Sequence, residues 1–440
     1  MVIMSGIQVE LLANVNKAQS KPNFIIMFVD DLGYNDIGIR NPSFQTPNID
    51  KLAVSSFNFE NAYVASPTSS PSRVGLLTGR HPMKVGFTRH VDKESRDLYG
   101  NGEWTVLDTD PGRRPNRSFL PLSEITLAEV LKEAGYTTYH IGKWHLGPRE
   151  YYPDKQGFDF MFGESNAGLP VNYFPPYFQR KKTQNEGVYL NDYLTNKAVD
   201  WISNHDYNQS PLMMYFAHYA VHSPFIAQHE KVDKYIARGM ERSYAIYHAM
   251  VESMDESVGK VLQAMEDAQI ADNTVFIFIS DQGGYFTNAP LRGGKMEGQH
   301  YDGGAKVPFF IRYKDSGAAT VQQRISTLDV FPTIIEMAGG KPKEHRQLDG
   351  LSLFPLLNGG KRKQQPIYIY RSYDDTPASL ILGDKKYIVS RSGKDEFYNL
   401  KNDPGEQNNL INNSADAKGV KKIKQMIYSY LKRYEMPEVK

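Results

Sequence analysis

The sequence contains no cysteine among its 440 residues. Disulfide bonds and thiolate metal sites are therefore excluded, and cysteine usage carries no sign of a redox compartment. An excess of charge of one sign is also missing, because 51 Lys and Arg residues stand against 50 Asp and Glu residues, for a formal net charge of +1. Since a nucleic-acid or membrane-surface partner normally requires a basic excess, we expect neither.

Long apolar runs are missing too. No stretch reaches the roughly 18 consecutive apolar residues of a membrane-spanning helix, so no membrane span is expected. In residues 1–21 the short apolar pieces are interrupted by Gln8 and Glu10, and the segment lacks a basic start and a sustained apolar centre. It is a poor signal peptide, and we interpret it as a leader or a disordered end.

The chain does contain an alternation of apolar runs and helical patterns. The apolar runs, which favour buried strands, lie at 23–29, 136–141, 212–217, 274–279 and 307–313. The amphipathic segments, which favour helices, lie at 123–134, 191–203, 242–267 and 326–337. This alternation predicts an α/β domain over 22–358, built on a large, mostly parallel sheet flanked by helices.

A second, smaller unit is predicted at the C-terminal end. Residues 359–365 form a polar linker whose basic triplet, Lys361 to Lys363, is interpreted as solvated. Beyond the linker, short apolar segments favour antiparallel strands, at 367–370, 379–382 and 386–389, and a helix is expected at 420–434. The chain is therefore expected to close with an α+β subdomain over 359–440.

Residues 69–80, with the sequence SSPSRVGLLTGR, predict a short capped helix. Ser70 suits the N-cap, Pro71 suits the first helical position, and the glycine near the end suits a stop. Ser69 would then lie just before the helix N-terminus, where free N–H groups and the helix dipole favour an anion, and Arg73 would add a positive charge. A surface helix without chemistry fits the same signals.

Polar residues follow four of the predicted strands. They are Asp30 and Asp31, Lys143 and His145, His222, and Asp281 and Gln282. The carboxyl edge of an open parallel sheet is where such folds bind ligands, so we expect these residues to converge with Ser69 and Arg73. Three carboxylates and an amide oxygen suit Ca²⁺ or Mg²⁺ better than zinc. Taken singly, such residues are more often a solvated acidic turn, a surface lysine or a core histidine with its hydrogen bonds satisfied.

The stretch from Ser69 to Arg80 resembles the signature of type I sulfatases, in which Cys or Ser is followed by x-Pro-Ser-Arg and then by Leu-Thr-Gly-Arg. Further segments similar to blocks of that family are Asp30-Asp31, Gly142 to His145, His222-Ser223-Pro224, Asp281 to Gly284, Arg292 to Lys295 and Phe397 to Glu406. The resemblance covers residues 22–440 in the family's order. It implies an alkaline-phosphatase-like fold and the hydrolysis of sulfate esters.

The resemblance also implies a modified nucleophile and one metal ion. In the family a maturase oxidises the Cys or Ser at the first signature position, here Ser69, to formylglycine, whose hydrated aldehyde is the nucleophile. The metal is calcium, held by formylglycine 69 and by the side chains of Asp30, Asp31, Asp281 and Gln282. The family usually has Asn at the last of these positions. Gln keeps the amide oxygen but is one methylene longer, so its ligation is less secure than that of the aspartates.

Roles for the remaining site residues follow from the resemblance and from the charge of a sulfate ester. Arg73, Lys143 and Lys295 are assigned to the sulfate oxygens and to holding the nucleophile. One hydroxyl of the aldehyde hydrate, deprotonated by calcium and Asp281, attacks sulfur. His222 protonates the leaving sugar oxygen, with assistance from Lys295. His145 contacts the second hydroxyl, whose deprotonation expels sulfate; an unoxidised serine lacks that hydroxyl.

Several alternatives stay open on the sequence alone. Ser69 is either native to a serine-type sulfatase or a replacement for cysteine. A phosphate or phosphonate monoester hydrolase on the same fold would usually carry two zinc ions with more His ligands than this chain offers. An aryl sulfatase, or a non-catalytic protein that binds sulfated glycans, is a further alternative.

The substrate expected from the resemblance is a sulfated oligo- or polysaccharide, and the expected location is periplasmic or secreted. Arg89, His90 and Arg371 are candidate contacts to the sulfated sugar. The aromatic residues of 166–178 either stack against sugar rings or pack within their own loop.

Overall fold

The structure is a computed structural model that describes residues 21–92, 94–163, 166–178, 187–313, 317–339 and 347–439. Apart from Lys21, the expected leader lies outside these residues. No helix in the described part of the chain combines the length and the apolar character needed to cross a membrane.

Eighteen strands are found among the described residues. In chain order, β1 to β18 are Asn23–Val29, Phe57–Phe59, Ala62–Tyr63, Arg96–Asp97, Trp104–Val106, Asn116–Arg117, Thr137–Gly142, Phe160–Phe162, Leu212–Ala217, Thr274–Ser280, Lys306–Val307, Phe309–Arg312, Ala319–Val321, Ile325–Ser326, Ile367–Tyr370, Ala378–Leu382, Lys385–Val389 and Glu396–Asn399.

The α-helices α1 to α11 of the described residues are Pro47–Val54, Ser69–Thr78, Pro82–Val85, Leu127–Glu133, Leu190–Asn204, His229–Ile236, Arg242–Asp267, Asp302–Ala305, Val330–Met337, Phe354–Leu357 and Ala417–Tyr434. Short 3₁₀ turns lie at Arg149–Tyr151, Pro153–Lys155, Ala271–Asn273, Thr327–Asp329 and Ser414–Asp416.

The main sheet has eight strands in the order β13-β2-β12-β10-β1-β9-β7-β8. Strand β1 is parallel to both of its neighbours, β10 and β9. Strand β7 is parallel to β9, and β8 is parallel to β7. Strand β12 is antiparallel to both β10 and β2 and is therefore the antiparallel strand of this sheet. The predicted mostly parallel sheet flanked by helices is confirmed.

Each face of the main sheet buries its own hydrophobic core because successive side chains of a strand point to opposite faces. In β1, Phe24, Ile26 and Phe28 pack on the face covered by α2, α4 and α9. Ile25, Met27 and Val29 pack on the other face, which α1, α5 and α7 cover. With both faces covered, the carboxyl edge is the open part of the central strands, and the polar residues lie there.

The C-terminal part forms a four-stranded antiparallel sheet in the order β15-β16-β17-β18, with α11 packed on it. The predicted antiparallel strands and closing helix are confirmed, and the fourth strand, Glu396–Asn399, was not predicted. Ile367 and Ile369 of this sheet also join the core of the main domain. The boundary at residue 359 stays a prediction.

The strand expected over 307–313 is wrong as a single element. Pro308 separates Lys306–Val307, which pairs with β3 in a small second sheet, from Phe309–Arg312, which pairs with β10. Because proline has no backbone N–H and a restricted φ, it interrupts a hydrogen-bonded strand. One apolar run is therefore divided between two sheets.

Two helix starts differ from the expectation. The helix at the signature begins at Ser69 after an extended Thr68, so Ser70 is inside the helix and is not its N-cap. Proline is tolerated throughout the first turn because the N–H groups there have no acceptor within the helix. The helix expected from residue 123 begins at Leu127, where Thr126 and Glu129 form a reciprocal capping box.

The prediction that the basic triplet Lys361 to Lys363 is solvated is wrong for Arg362. The guanidinium of Arg362 lies 2.6 Å from a carboxylate oxygen of Asp329, and both side chains are almost fully buried. Arg362 also donates to the carbonyl oxygen of Leu351 at 3.3 Å. It therefore ties the linker to the main domain.

Candidate active site

Three carboxylates meet where β1 and β10 end. These strands are parallel neighbours with Val29 opposite Ser280, so Asp30 and Asp281 leave the sheet side by side. The amide of Asp31 donates to Oδ1 of Asp281 at 3.1 Å. One oxygen of each carboxylate lies within 4.8 Å of the others, and all three side chains are fully buried.

Three cations surround these carboxylates. Arg73, on α2, lies 3.4 Å from Oδ2 of Asp281 and 3.7 Å from Oδ1 of Asp30. The Nζ atom of Lys143 contacts Oδ2 of Asp30, and the Nζ atom of Lys295 contacts Oδ2 of Asp31. Such a dense group of buried charges is costly unless the charges neutralise one another or bind a charged ligand.

Ser69 lies between the carboxylates and the cations. Its hydroxyl donates to Oδ1 of Asp30 at 3.1 Å and accepts from Nζ of Lys143 at 3.2 Å. The Nε2 atom of Gln282 lies 3.4 Å from the same oxygen. Ser69 is also the first residue of α2, where N–H groups without intrahelical acceptors favour negative charge. This position therefore suits a group that carries or attacks an anion.

His222 faces the carboxylates with one ring nitrogen. Its Nδ1 atom lies 2.8 Å from the carbonyl oxygen of Ser223, so Nδ1 carries the hydrogen of that bond. The Nε2 atom, 3.6 Å from Oδ2 of Asp31, is left for the site. Burial lowers the pKa of His222, although Asp31 and Asp30 act in the opposite direction.

His145 has a defined tautomer. Its Nε2 atom lies 2.8 Å from the carbonyl oxygen of Val91, and because a carbonyl can only accept, Nε2 carries the hydrogen. The buried Nδ1 atom has no partner among the described residues and is the free acceptor. Burial and the charge of Lys143 hold the pKa of His145 well below its ordinary value, so the ring is neutral.

The pKa values of two of the carboxylates, Asp30 and Asp281, are shifted in opposite directions. Burial opposes ionisation of Asp30, but Lys143, His222 and Arg73 outweigh it and hold the pKa of Asp30 well below the usual range. Burial and the charge of Asp30 raise the pKa of Asp281 well above its usual range. A cation next to Asp281 would reverse this effect and favour its ionised form.

The residues fit a hard divalent cation. Asp30, Asp31 and Asp281 offer converging carboxylate oxygens, which are the ligands that Ca²⁺ and Mg²⁺ prefer. Within the described residues, no second cluster of three or more acidic, histidine or cysteine side chains has this geometry. Gln282 points Nε2 at Oδ1 of Asp31, 2.6 Å away, so its ligation requires the amide to rotate and present Oε1.

Comparison with known families decides the class of this site. The family model described as Sulfatase matches residues 22–340. The chain belongs to the sulfatase family. A second model, described as N-sulphoglucosamine sulphohydrolase, C-terminal, matches residues 298–433 of this sulfatase. The expected enzyme class, a hydrolase of sulfuric esters, is thereby confirmed.

Individual relatives agree with this membership. N-acetylgalactosamine-6-sulfatase of Mus musculus is 33% identical over 402 residues, which cover 84% of this chain and 72% of that protein. Arylsulfatase A of Homo sapiens is 29% identical over 457 residues, covering 90% and 84%. The crystal structure of Ps i-CgsB in complex with k-i-k-neocarrahexaose is 27% identical, with a TM-score of 0.81 and coverage of 95% and 94%. The expected alkaline-phosphatase-like sulfatase fold is confirmed.

The three candidate substrate contacts of this sulfatase differ in their surroundings. Arg89 is buried and its guanidinium contacts Asp92 and Ser95 of its own loop. The side chain of His90 is 44% exposed, and its ring centroid lies 6.4 Å from that of His145. Arg371 is mostly buried, 3.8 Å from Asp374, and its charge acts on His90, as does that of Lys295. His90 and Arg371 therefore border the site, whereas Arg89 shapes the loop.

The aromatic segment 166–178 packs within the sulfatase. Tyr173 is fully buried, and its hydroxyl lies 2.7 Å from the carbonyl oxygen of Tyr219 and 2.8 Å from that of His222. Tyr177 is also buried and donates to the carbonyl oxygen of Val188 at 2.8 Å. The packing alternative is correct for these two tyrosines. Sequence reasoning missed the support that Tyr173 gives to the His222 loop, because no local pattern marks it.

Proposed function

We propose that this sulfatase removes sulfate from a sulfated oligo- or polysaccharide, with formylglycine formed at position 69 and one calcium ion. The observation that carries the proposal is the hydroxyl of Ser69, which is hydrogen-bonded to both Asp30 and Lys143. A carbohydrate substrate is supported by relatives whose descriptions include N-acetylgalactosamine-6-sulfatase and a complex with k-i-k-neocarrahexaose.

The residues that would hold calcium are Asp30, Asp31, Asp281 and, after rotation of its amide, Gln282. When bound, such an ion supplies positive charge that polarises a sulfate oxygen and favours the deprotonated nucleophile. Without it, burial and the charge of Asp30 raise the pKa of Asp281 well above its usual range. Further positive charge beside Asp281 would favour its ionised form, so the cluster suits a bound cation.

Formylglycine requires the removal of two hydrogens from the Cβ–OH group of Ser69, with the two electrons passed by a maturase to its own electron acceptor. The resulting aldehyde adds water and offers two hydroxyls in place of one. Around it, Lys143 donates to the oxygen at position 69, and Arg73 fixes Asp30 and Asp281. These contacts orient the nucleophile before substrate binds, which lowers the cost of reorganisation.

The two histidines have different proton roles. His222 acts in its doubly protonated form, which the nearby carboxylates of Asp31 and Asp30 favour. Its Nε2–H delivers a proton to the sugar oxygen as the sulfur–oxygen bond breaks, while its Nδ1–H stays on the carbonyl oxygen of Ser223. His145 offers the unprotonated Nδ1 to the second hydroxyl at position 69, while Val91 holds Nε2–H. Lys295 contacts the same carboxylate oxygen of Asp31 that faces Nε2 of His222, and it adds positive charge where the sulfate oxygens are expected.

The proposal is tested by expressing the protein with and without a maturase. Mass spectrometry of the peptide that contains Ser69 is expected to show the loss of two hydrogens only when the protein is expressed with the maturase. Sulfate release should then occur from N-acetylgalactosamine 6-sulfate or from carrageenan oligosaccharides and should be absent in Ser69→Ala. Release from 4-nitrophenyl sulfate alone would favour an aryl sulfatase. Phosphate release from 4-nitrophenyl phosphate would favour a phosphomonoesterase.

An unmodified residue 69 together with binding of sulfated sugars would favour the non-catalytic glycan-binding alternative. A periplasmic or secreted location belongs to the same proposal, since sulfated polysaccharides are outside the cell. Fractionation of the native producer, with detection of the protein by antibody, tests it; recovery only with the cytoplasm would contradict it.

A further inference from the structure

A pocket opens beside the sulfatase site on the side of Lys295. It has a volume of about 550 Å³ and lies between the loop after β10 and the glycine-rich segment 292–298. We name it the Tyr285 pocket; its lining includes Tyr285, Phe286, Arg292, Met296, Tyr301 and Thr376. None of these residues belongs to the sulfate site described above.

The Tyr285 pocket lies close to the sulfate site. Tyr285 follows Gln282 by three residues, and the Nζ atom of Lys295, which contacts Asp31, lies 5.7 Å from the centre of the Tyr285 ring. The amide of Lys295 donates to the carbonyl oxygen of Gly284 at 2.9 Å. A group attached to a sulfated ring at the site therefore reaches the pocket within the length of one sugar unit.

The lining has the composition of a carbohydrate site. Tyr285, Phe286 and Tyr301 supply aromatic rings, on which the apolar C–H faces of sugars pack. Met296 is 62% exposed, so its apolar surface is available to a ligand. The hydroxyl of Tyr285 has no hydrogen-bond partner among the described residues, and Thr376 adds a second hydroxyl.

The walls of the pocket are already ordered. The amide of Gly294 donates to the carbonyl oxygen of Glu297 at 2.9 Å, and that of Tyr301 donates to Gly298 at 3.0 Å. Arg292 stacks 3.8 Å from the Tyr301 ring centre and donates to Tyr398 at 3.0 Å. A preformed wall loses little conformational entropy when a ligand binds, so even modest contacts contribute affinity.

We propose that the Tyr285 pocket binds the sugar unit next to the sulfated one, so that oligosaccharides are preferred over sulfated monosaccharides. This inference rests on the proposed function for its kinetic readout. Its occupant is a hexose-type ring, because the walls combine aromatic faces with a few hydroxyls and one fixed guanidinium. Phe225, which lies 4.7 Å from Tyr285 between ring centres, supports the aromatic wall from behind.

The test compares substrates of two lengths on the matured enzyme. For whichever sulfated series releases sulfate, kcat/KM is measured for the monosaccharide and for the hexasaccharide. The wild-type ratio of hexasaccharide to monosaccharide should exceed one. Tyr285→Ala should lower that ratio about tenfold, the value of one aromatic contact, and Met296→Ala should lower it less.

Tyr428→Ala is the control, because Tyr428 is a tyrosine on helix α11 that does not line the pocket. It should leave the ratio unchanged. Met296 is exposed, so its substitution leaves the core intact even if Tyr285→Ala proves unstable. A wild-type ratio near one, or a ratio unaffected by both pocket variants, would overturn the inference.

A second readout does not depend on turnover. Isothermal titration of the unmatured Ser69 protein with a carrageenan hexasaccharide and a glycosaminoglycan hexasaccharide should show binding to at least one that Tyr285→Ala weakens about tenfold. If the matured enzyme releases sulfate from no ester but this difference holds, the proposed function fails and the pocket stands. If sulfate is released and neither readout changes, the pocket assignment fails alone.

Discussion

The hydroxyl of Tyr173 lies 2.8 Å from the carbonyl oxygen of His222. The Tyr173 hydroxyl also lies 2.7 Å from the carbonyl oxygen of Tyr219. One buried tyrosine therefore holds both ends of the turn that carries the histidine. His222 has its Nε2 atom 3.6 Å from Asp31, and a small shift of the turn would change that distance. Tyr173 is therefore a positioning residue for the proposed proton donor.

Tyr173→Phe should lower kcat about tenfold with little change in KM, because the His222 turn loses a fixed point while the sulfate site is kept. The free energy of unfolding should fall by about 1 kcal/mol for one buried hydrogen bond. Tyr177→Phe is the matched control, since its hydroxyl bonds to Val188 outside the site. The control should lose similar stability and keep kcat; equal losses of kcat in both variants would contradict the positioning role.

His222→Ala should slow the release of sulfate from a sugar ester by about 10²–10⁴-fold, the usual contribution of a general acid. Release from 4-nitrophenyl sulfate should fall much less, because nitrophenolate leaves without a proton. His229→Ala removes an exposed histidine at the start of α6 and serves as the control. Equal losses on both substrates would show that His222 does not protonate the leaving group.

Calcium should raise the thermal midpoint of the protein, and a chelator should lower both the midpoint and activity. A ligand bound to the folded state alone stabilises it by about 2.7 kcal/mol at a concentration of 100 times Kd. Asp281→Asn removes one carboxylate of the cluster and should abolish most of this shift. Retention of the full calcium effect in Asp281→Asn would place the ion elsewhere.

Asp255, on α7, predicts a pH dependence of stability. Its carboxylate accepts from the amides of Asn48 and Ile49 at the start of α1, and burial raises its pKa from 3.8 to about 6. The folded state therefore binds this proton more tightly than the unfolded state. The resulting stabilisation is complete below the unfolded pKa and is lost as the pH rises through about 6, by about 3 kcal/mol.

Urea midpoints of the wild type and of Asp255→Asn at intervals between about pH 4 and pH 7 measure this contribution, with the wild type falling more steeply. Asp267→Asn, an exposed carboxylate at the end of the same helix, is the control and should follow the wild-type curve. Parallel curves for the wild type and Asp255→Asn would contradict the raised pKa of Asp255.

The parts of the fold that were predictable are those that local pattern decides. The helix Arg242–Asp267 and the strand Leu212–Ala217 have the predicted bounds because each shows a clear periodicity or an unbroken apolar run. The prediction failed at Pro308, where one apolar run serves two sheets. It also failed at Arg362, where a buried carboxylate from a distant segment decides the environment.

The sequence by itself determined the family, the strand-end placement of the acidic residues and the residue type at position 69, because these depend on order and spacing along the chain. The tertiary structure alone decided that Asp30 takes Lys143 as its partner, that Val91 sets the tautomer of His145, and that Tyr285 opens a second pocket. Hydrogen bonds and ion pairs act over a few ångströms of space, and residues far apart in the chain come that close only after the sheet and its loops have formed.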